Sequence, residues 1–432
     1  MRRQLLVLAL CVGALCTLGI IMLYSTTFKA ADVLRFRSQL ICLCAGLVLL
    51  PLLARCDYAW LQRRSLLYLL GGLCLVLLVA VFIPGIGMRV NGANRWIRGL
   101  GQPAEFVKPA LVILLAAWFA RARDGEMQHR AKGFLIPLAL GGIPAALVFA
   151  QQDWGTAMLL GAITLAMLFI AGARSLHLGV TVLIVTSLMV IFLAYDPIRL
   201  DRIVVFLDPE AHRHGAGWQI WQSLLAIGSG GPWGSFLLGS LHKFGYVPEQ
   251  QTDFIFARVG EETGLWGTSL VVLLYAGILI CGFQIAWHAR ERFGHYLAAG
   301  VTTVIVLQAW INMAVATSLV PNKGMPLPFV SYGGSSLLAM FICVGLLASV
   351  AWHSNAGRNH TRNTGPSLPT VPEKEVSHAW SSAGTAPAFA KLTAGTTSGS
   401  NLCPDSCQWS GLKPVRSSLR LHDLVEFGLR PV

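Results

Sequence analysis

Four polar stretches in an otherwise apolar chain hold the residue types that could do chemistry. The first runs Arg89-Val90-Asn91-Gly92-Ala93-Asn94-Arg95-Trp96-Ile97-Arg98 and continues through Gln102-Pro103-Ala104-Glu105-Phe106-Val107-Lys108-Pro109. Glu105 and Lys108 stand three apart where Pro103 suits a helix start, so they share a face and can pair. Such a pair either anchors the helix at the membrane interface or marks a functional site. The second stretch is Gln151-Gln152-Asp153-Trp154-Gly155-Thr156, where Asp153 is placed to cap the following helix.

The third lies in a long segment carrying Arg199, Arg202, Asp208, Lys243, Glu249, Asp253, Arg258, Glu261 and Glu262. Asp253 directly precedes the apolar run Phe254-Ile255-Phe256-Ala257. A carboxylate dipping into such surroundings has its pKa raised, and a base poised near neutrality suits proton abstraction from a hydroxyl. Taken alone, such an aspartate is more often a helix cap or an ion-pair partner than a base. Glu261 and Glu262 read as first-turn acids of the next span. The fourth stretch, Pro321-Asn322-Lys323-Gly324-Met325-Pro326-Leu327-Pro328-Phe329-Val330-Ser331-Tyr332-Gly333-Gly334-Ser335-Ser336, breaks helical geometry beside a basic residue. Broken backbone at membrane depth is tolerated where it lines a cavity or is buried in protein. Lys323 suits a phosphate oxygen or, equally, snorkels as an interface anchor.

The elements that position these stretches are membrane helices. Of 432 residues, 55% are hydrophobic and only 12% charged, with mean hydropathy +0.62. A soluble domain carries about 25% charged residues, so the apolar excess must face lipid. Candidate spans are Leu5–Tyr24, Ser38–Ala54, Leu66–Ile83, Phe106–Ala120, Phe134–Ala150, Thr156–Ala173, Leu176–Ala194, Leu265–Trp287, Tyr296–Val320 and Phe329–Trp352. The expected fold is therefore an all-α polytopic membrane protein with about ten transmembrane helices. A large extracytoplasmic loop, about 195–264, separates spans seven and eight. Within it, Trp218 to Leu225 reads as a helix lying on the membrane surface.

The net charge of +13 comes largely from short loops between apolar runs, a topology signal rather than a nucleic-acid footprint. Loops on the N-terminal side of the bilayer hold about twice the Lys and Arg of the opposite short loops, which makes both termini cytoplasmic. The basic residues left outside then need another explanation. Residues 1–354 form the transmembrane domain, and 355–432 form a Ser-, Thr-, Gly- and Pro-rich cytoplasmic tail without the composition to fold. Most cysteines sit in apolar runs, and Cys403 and Cys407 lack the partners of a metal site. No phosphate-binding Gly-Lys loop, HExxH, GxSxG or dinucleotide fingerprint is present. Energy for any transfer reaction must then come with the substrate.

These motifs together resemble the SEDS family of membrane peptidoglycan glycosyltransferases, which includes FtsW, RodA and SpoVE. The likeness covers Leu5 to Trp352 and rests on Gln102–Pro109, Gln251–Ala257 and Pro321–Ser336, with support from Phe206-Leu207-Asp208-Pro209. Within the family it is nearest the division branch, FtsW, through Val90-Asn91-Gly92-Ala93, Leu238-Gly239-Ser240 before Lys243, and Lys323-Gly324. An elongation role like that of RodA is the sub-family alternative. The resemblance implies polymerisation of lipid II into glycan strands for septal wall synthesis, with inversion at the donor sugar and release of undecaprenyl pyrophosphate. It implies Asp253 as the catalytic residue and matches Glu105 and Lys108 to a family pair in the central cavity; beyond the resemblance, Arg95, Arg202, Lys243 and Lys323 are read from their charge as suited to hold pyrophosphate or orient the loop, and Ser331 and Ser335 complete the expected substrate-binding set. It further implies a multi-pass protein of the bacterial inner membrane at the septum. Its partners would be a class B penicillin-binding protein transpeptidase, other divisome proteins and membrane lipid, but no nucleic acid. No cofactor or metal ligand set is readable, although a divalent cation, Mg or Mn, could assist the leaving group. A lipid II flippase and a non-catalytic divisome scaffold are the competing functions. The chain departs from the family pattern at Gln152, where proline is usual, at Trp154, where leucine is usual, and at Asn322, where threonine is usual.

Overall fold

The computed structural model describes residues 1–26, 33–90, 93–122, 130–194, 204–206, 208–215, 217–235, 252–321 and 324–363. The long apolar runs form α1 (Arg2–Thr26), α2 (Val33–Arg55), α3 (Arg64–Ala80), α4 (Pro103–Arg121), α5 (Ile136–Ala150), α6 (Trp154–Ile170) and α7 (Ser175–Ala194). They continue as α8 (Trp218–Gly230), α9 (Ile255–Trp287), α10 (Arg292–Ala316) and α11 (Gly334–Asn363). A helix satisfies its own backbone polar groups, which is the condition for crossing hydrocarbon. Seven of these helices are long and apolar enough to span a bilayer, and α3, α6 and α7 are shorter apolar helices of the same kind.

The bundle is organised around α4, which packs against α3, α5, α6, α10 and α11. Its buried residues run from Pro103 to Phe119 on all sides of the helix, as expected of a helix shielded from lipid by its neighbours. α2 lies along α11, and α1 along α9. By contrast, α7 exposes Leu183, Leu188, Val190 and Ile191; among the described residues it packs mainly on α6, with the His177 ring against Phe134. That is the pattern of a helix facing lipid.

Three local structures differ from the sequence expectation. The polar stretch before α4 forms an antiparallel pair, β1 (Gly87–Val90) with β2 (Ala93–Ile97), in which Met88 faces Trp96 and Arg89 faces Asn94. Strands of four and five residues with a register irregularity leave too little alternation to read as strands. The amphipathic α8 packs against α9 and α10, burying Ile220, Ser223 and Ala226, and Ser223 Oγ donates to the Ala316 carbonyl at 2.8 Å. Its apolar face is thus met by protein. Glu261 and Glu262 are not first-turn acids before a span beginning at Leu265. Helix α9 already starts at Ile255, and both are buried in its second turn. The helix breaks at Gly264, with φ 66° and ψ −157°. A Cβ there would lie 2.5 Å from the Gly234 nitrogen, so glycine is required both by conformation and by the close approach of residues 232–234.

Candidate functional site

The sequence-flagged stretches converge on one end of the bundle. Pro103 occupies the first turn of α4, and Glu105 and Lys108 follow on its inward face. Lys108 Nζ lies 2.7 Å from Glu105 Oε2, with the two residues only 1% and 3% exposed. The pair is therefore an interior one rather than an interface anchor. Lys108 Nζ also donates to Gln308 Oε1 on α10 at 2.5 Å. A buried ammonium demands such a saturated environment, since an uncompensated charge there is costly.

Gln308 passes the connection onward. Its Nε2 donates to the Pro326 carbonyl at 2.9 Å. One turn along α10, Asn312 Nδ2 donates to the Met325 carbonyl at 2.7 Å and to the Asp253 carbonyl at 2.9 Å. Two amides four residues apart on one helix face thus hold the non-helical 324–333 segment and the start of α9 together. Ser331 adds a second clamp: its hydroxyl donates to the Thr252 carbonyl at 2.5 Å and accepts from Leu327 N at 2.8 Å. Gln39 of α2 closes a third, donating to the Ser331 carbonyl and accepting from Gly333 N. Tyr275 of α9 donates to the Pro328 carbonyl at 2.5 Å. With prolines at 321, 326 and 328 supplying no N–H, the segment's carbonyls are satisfied from neighbouring helices.

This frame delivers the Asp253 side chain, half-buried, against Gly324: a Cβ added at Gly324 would sit 2.6 Å from Asp253 Oδ2. Glu105, Lys108, Ser331 and Asp253 therefore belong to one connected assembly. Ser331 contributes its hydroxyl to the scaffold of that assembly. Ser335 sits at the start of α11, where its Oγ meets Gln102 N at 3.5 Å and Gly101 approaches closely. Arg202, Lys243 and Lys323 lie outside the described residues, as does the tail from 364 onward.

Arg95 belongs to a neighbouring cluster. Asp153 is the N-cap of α6, accepting from Thr156 N and Oγ1 and from Gln102 Nε2, the last at 2.6 Å. Burial pushes its carboxyl above the usual range, the nearby Arg95 guanidinium and the Thr156 bonds oppose this, and Glu105 adds to the rise. Arg95 Nε and Trp96 Nε1 are buried without a hydrogen-bond partner among the described residues. The turn also accounts for two departures from the expected pattern. Gln152 has φ 64°, which proline's ring forbids, and the Trp154 ring stacks on Phe149 with centroids 5.5 Å apart. A pH effect follows. An acid with a raised native pKa contributes stability in full below its unfolded value of about 3.9 and loses it as pH rises through the native value. Thermal melts in detergent from pH 4 to 8 should therefore show wild type losing stability relative to Asp153→Asn as pH increases. Parallel curves would rule the effect out.

Sequence reasoning missed Gln308 and Asn312. The available signal was a pair of amides at helical spacing inside an otherwise apolar span. It named Arg258, Glu261 and Glu262 but not their pairing inside α9, where Arg258 Nε meets Glu262 Oε1 at 2.8 Å, Arg258 Nη1 stands 3.7 Å from Glu261 Oε2, and Ser25 Oγ donates to Glu262 Oε1. Among the described residues, no group of three or more His, Cys, Asp or Glu side chains is gathered as a metal ion would need.

The family described as "Cell cycle protein", comprising FtsW, RodA and SpoVE, matches residues 5–356. This chain belongs to that family. Its similarity to individual members of the FtsW, RodA and SpoVE family extends over most of the chain. It is 39% identical to the "Probable peptidoglycan glycosyltransferase FtsW" of Trichlorobacter lovleyi over 355 residues, covering 80% of this chain and 92% of that protein. It is 38% identical to the stage V sporulation protein E of Bacillus subtilis over 351 residues, covering 79% and 94%. Among solved structures, it superposes with TM-score 0.68 and 27% identity on a chain from the structure described as "Structural coordination of polymerization and crosslinking by a peptidoglycan synthase complex", covering 80% of this chain and 97% of that one.

Proposed function

We propose that this protein polymerises lipid II into glycan strands on the outer face of the bacterial cytoplasmic membrane, in septal wall synthesis, with Asp253 as general base. The observation that carries the reading is the placement of Asp253. Its carboxylate abuts Gly324 in a segment fixed by Asn312, and that segment is tied through Gln308 to a buried Glu105–Lys108 pair. In the proposed reaction, Asp253 takes the proton of the acceptor's GlcNAc 4-hydroxyl as that oxygen attacks the anomeric carbon of the donor's MurNAc. The bond to undecaprenyl pyrophosphate breaks on the opposite face, giving inversion, and the pyrophosphate carries away the electron pair. Arg95, Arg202, Lys243 and Lys323 supply positive charge for that leaving group, which accounts for basic residues on the outer side against the prevailing charge bias. Both termini are assigned to the cytoplasm on the same bias. A class B penicillin-binding protein is the proposed partner, supported by the similarity to a chain of a peptidoglycan synthase complex.

The test is polymerisation of labelled lipid II by the purified protein with its cognate transpeptidase. Glycan strands are expected. Transbilayer movement of lipid II without polymer would replace this reading with a flippase, and neither activity would leave a scaffold. A narrower prediction concerns Gly324. Its backbone conformation is open to other residues, so Gly324→Ala adds only a Cβ, placed 2.6 Å from Asp253 Oδ2. The carboxylate must shift, and a displacement near 1 Å costs up to roughly 100-fold in rate. Polymerisation should fall about 10- to 100-fold while the melting temperature changes little. Full activity in Gly324→Ala would separate Asp253's position from catalysis.

A further inference from the structure

A groove at the other end of the bundle has no part in this chemistry. It opens between α3, α4 and α5 with a volume of about 650 Å³, in the range of single small-ligand sites, about 300–1,000 Å³. Arg64 and Arg121, both exposed, line it at the helix ends, and Gly71, the exposed Gly72, Leu114 and Leu140 line it farther along α3, α4 and α5. A second, narrower apolar cleft of about 90 Å³ shares Gly71, Leu114 and Leu140 with it and continues along the same three helices toward Val107 and Pro144. The two together make one elongated slot, cationic at one end and apolar along its length.

Both arginines mark helix ends on the same side. Arg64 begins α3 and Arg121 ends α4. Among the described residues, neither is in an ion pair. Arg121 donates to the Gln62 carbonyl, which fixes its stem at the rim, and a guanidinium carries five donors in all. Leu67, Tyr68, Leu114, Trp118, Ile136 and Leu140 make the apolar walls, and two glycines leave space along α3. Nothing lies within 4 Å of a Cβ built on Gly72, and only Leu114 methyl carbons, at 3.7 and 3.8 Å, approach one built on Gly71. With the N-terminus cytoplasmic, as assigned above, this mouth opens in the inner leaflet. There basic pockets between membrane helices recognise anionic head groups.

We propose that this groove is a binding site for one anionic phospholipid of the inner leaflet, its phosphate held by Arg64 and Arg121 and one acyl chain laid over Gly71 and Gly72. Charge complementarity selects the occupant. A neutral lipid chain leaves two guanidinium groups unmatched, and a partner helix about 10 Å across needs a trough over the whole membrane depth rather than a slot. The site lies at the opposite membrane face from Asp253, so it is independent of the proposed polymerase reaction except for the shared topology.

The experiment is native mass spectrometry of the full chain, delipidated in detergent and titrated with palmitoyl-oleoyl phosphatidylglycerol. Arg64→Gln/Arg121→Gln removes the charge, and Gly72→Leu adds bulk to the slot at a position where a Cβ meets no protein atom within 4 Å. Wild type should retain one phosphatidylglycerol, and each variant should bind it about tenfold or more weakly. Phosphatidylethanolamine and soluble glycerol phosphate should not compete. Melting of wild type should rise with added phosphatidylglycerol and that of the variants should not, with unchanged gel-filtration profiles showing that they fold. Equal phosphatidylglycerol binding by all three proteins would overturn the proposal. So would preferential retention of undecaprenyl phosphate, or a wild-type dimer that Gly72→Leu dissociates.

Discussion

Asp253→Asn should lower lipid II polymerisation by roughly 10²- to 10⁴-fold, the range that a positioned general base contributes. The substitution keeps size and shape and removes the negative charge and with it the ability to take a proton. It also spares the frame, because Asn312 holds the Asp253 main-chain carbonyl and not its carboxylate. The clamps through Ser331, Gln39 and Tyr275 likewise involve other atoms. The variant should therefore elute and melt like wild type and still bind its transpeptidase partner. Asp253→Glu moves a functional carboxylate toward Gly324, where there is little room, and should retain a small activity with an altered acid limb in its pH–rate profile. Strand synthesis is read by gel separation of labelled product. Polymerisation by Asp253→Asn at the wild-type rate would remove Asp253 from the role of base. A loss confined to KM would make it an orienting group.

The sequence carried the helices well and the site only in pieces, for a physical reason. A membrane span is announced by composition over about 20 residues, so the runs that became α1 to α7, and the later parts of α9, α10 and α11, were legible from hydropathy alone. Short-range chemistry was legible too. Pro103, Glu105 and Lys108 occupy one helix start, and Asp153 caps α6 as its spacing suggested. Contacts between distant residues carry no local signal. Asn312 and Asp253 are separated by 59 positions, and Gln39 and Ser331 by 292. Glu261 and Glu262 were misplaced because the segment from Ile255 to Thr263 is a buried helix ahead of a glycine break, and burial inside protein cannot be told from periodicity when charges punctuate the run. The β1–β2 pair was missed because strands of four and five residues show too little alternation.

The second large effect is expected at the Glu105–Lys108 pair. Lys108→Met deletes the cation paired with Glu105 among the described residues, strands a buried carboxylate and takes the donor from Gln308 Oε1. Breaking a buried ion pair from one side costs about 3–5 kcal/mol, because the remaining charge keeps its desolvation penalty. Lys108→Met should therefore melt far below wild type and polymerise little. Removing both charges is different: Glu105→Gln/Lys108→Met leaves no unpaired ion, and such replacements are often close to neutral. The double variant should recover most of the lost stability. Its activity separates two explanations of the pair. If the ion pair only props up α4 against α10, polymerisation returns with stability. If Lys108 is needed at the site, stability returns and polymerisation does not, because the chain from Lys108 through Gln308 to Pro326, and from Asn312 to Asp253, has lost its first member. We expect the second result, read by detergent melting and lipid II polymerisation on the same preparations. Recovery of both together would reduce the pair to a structural one.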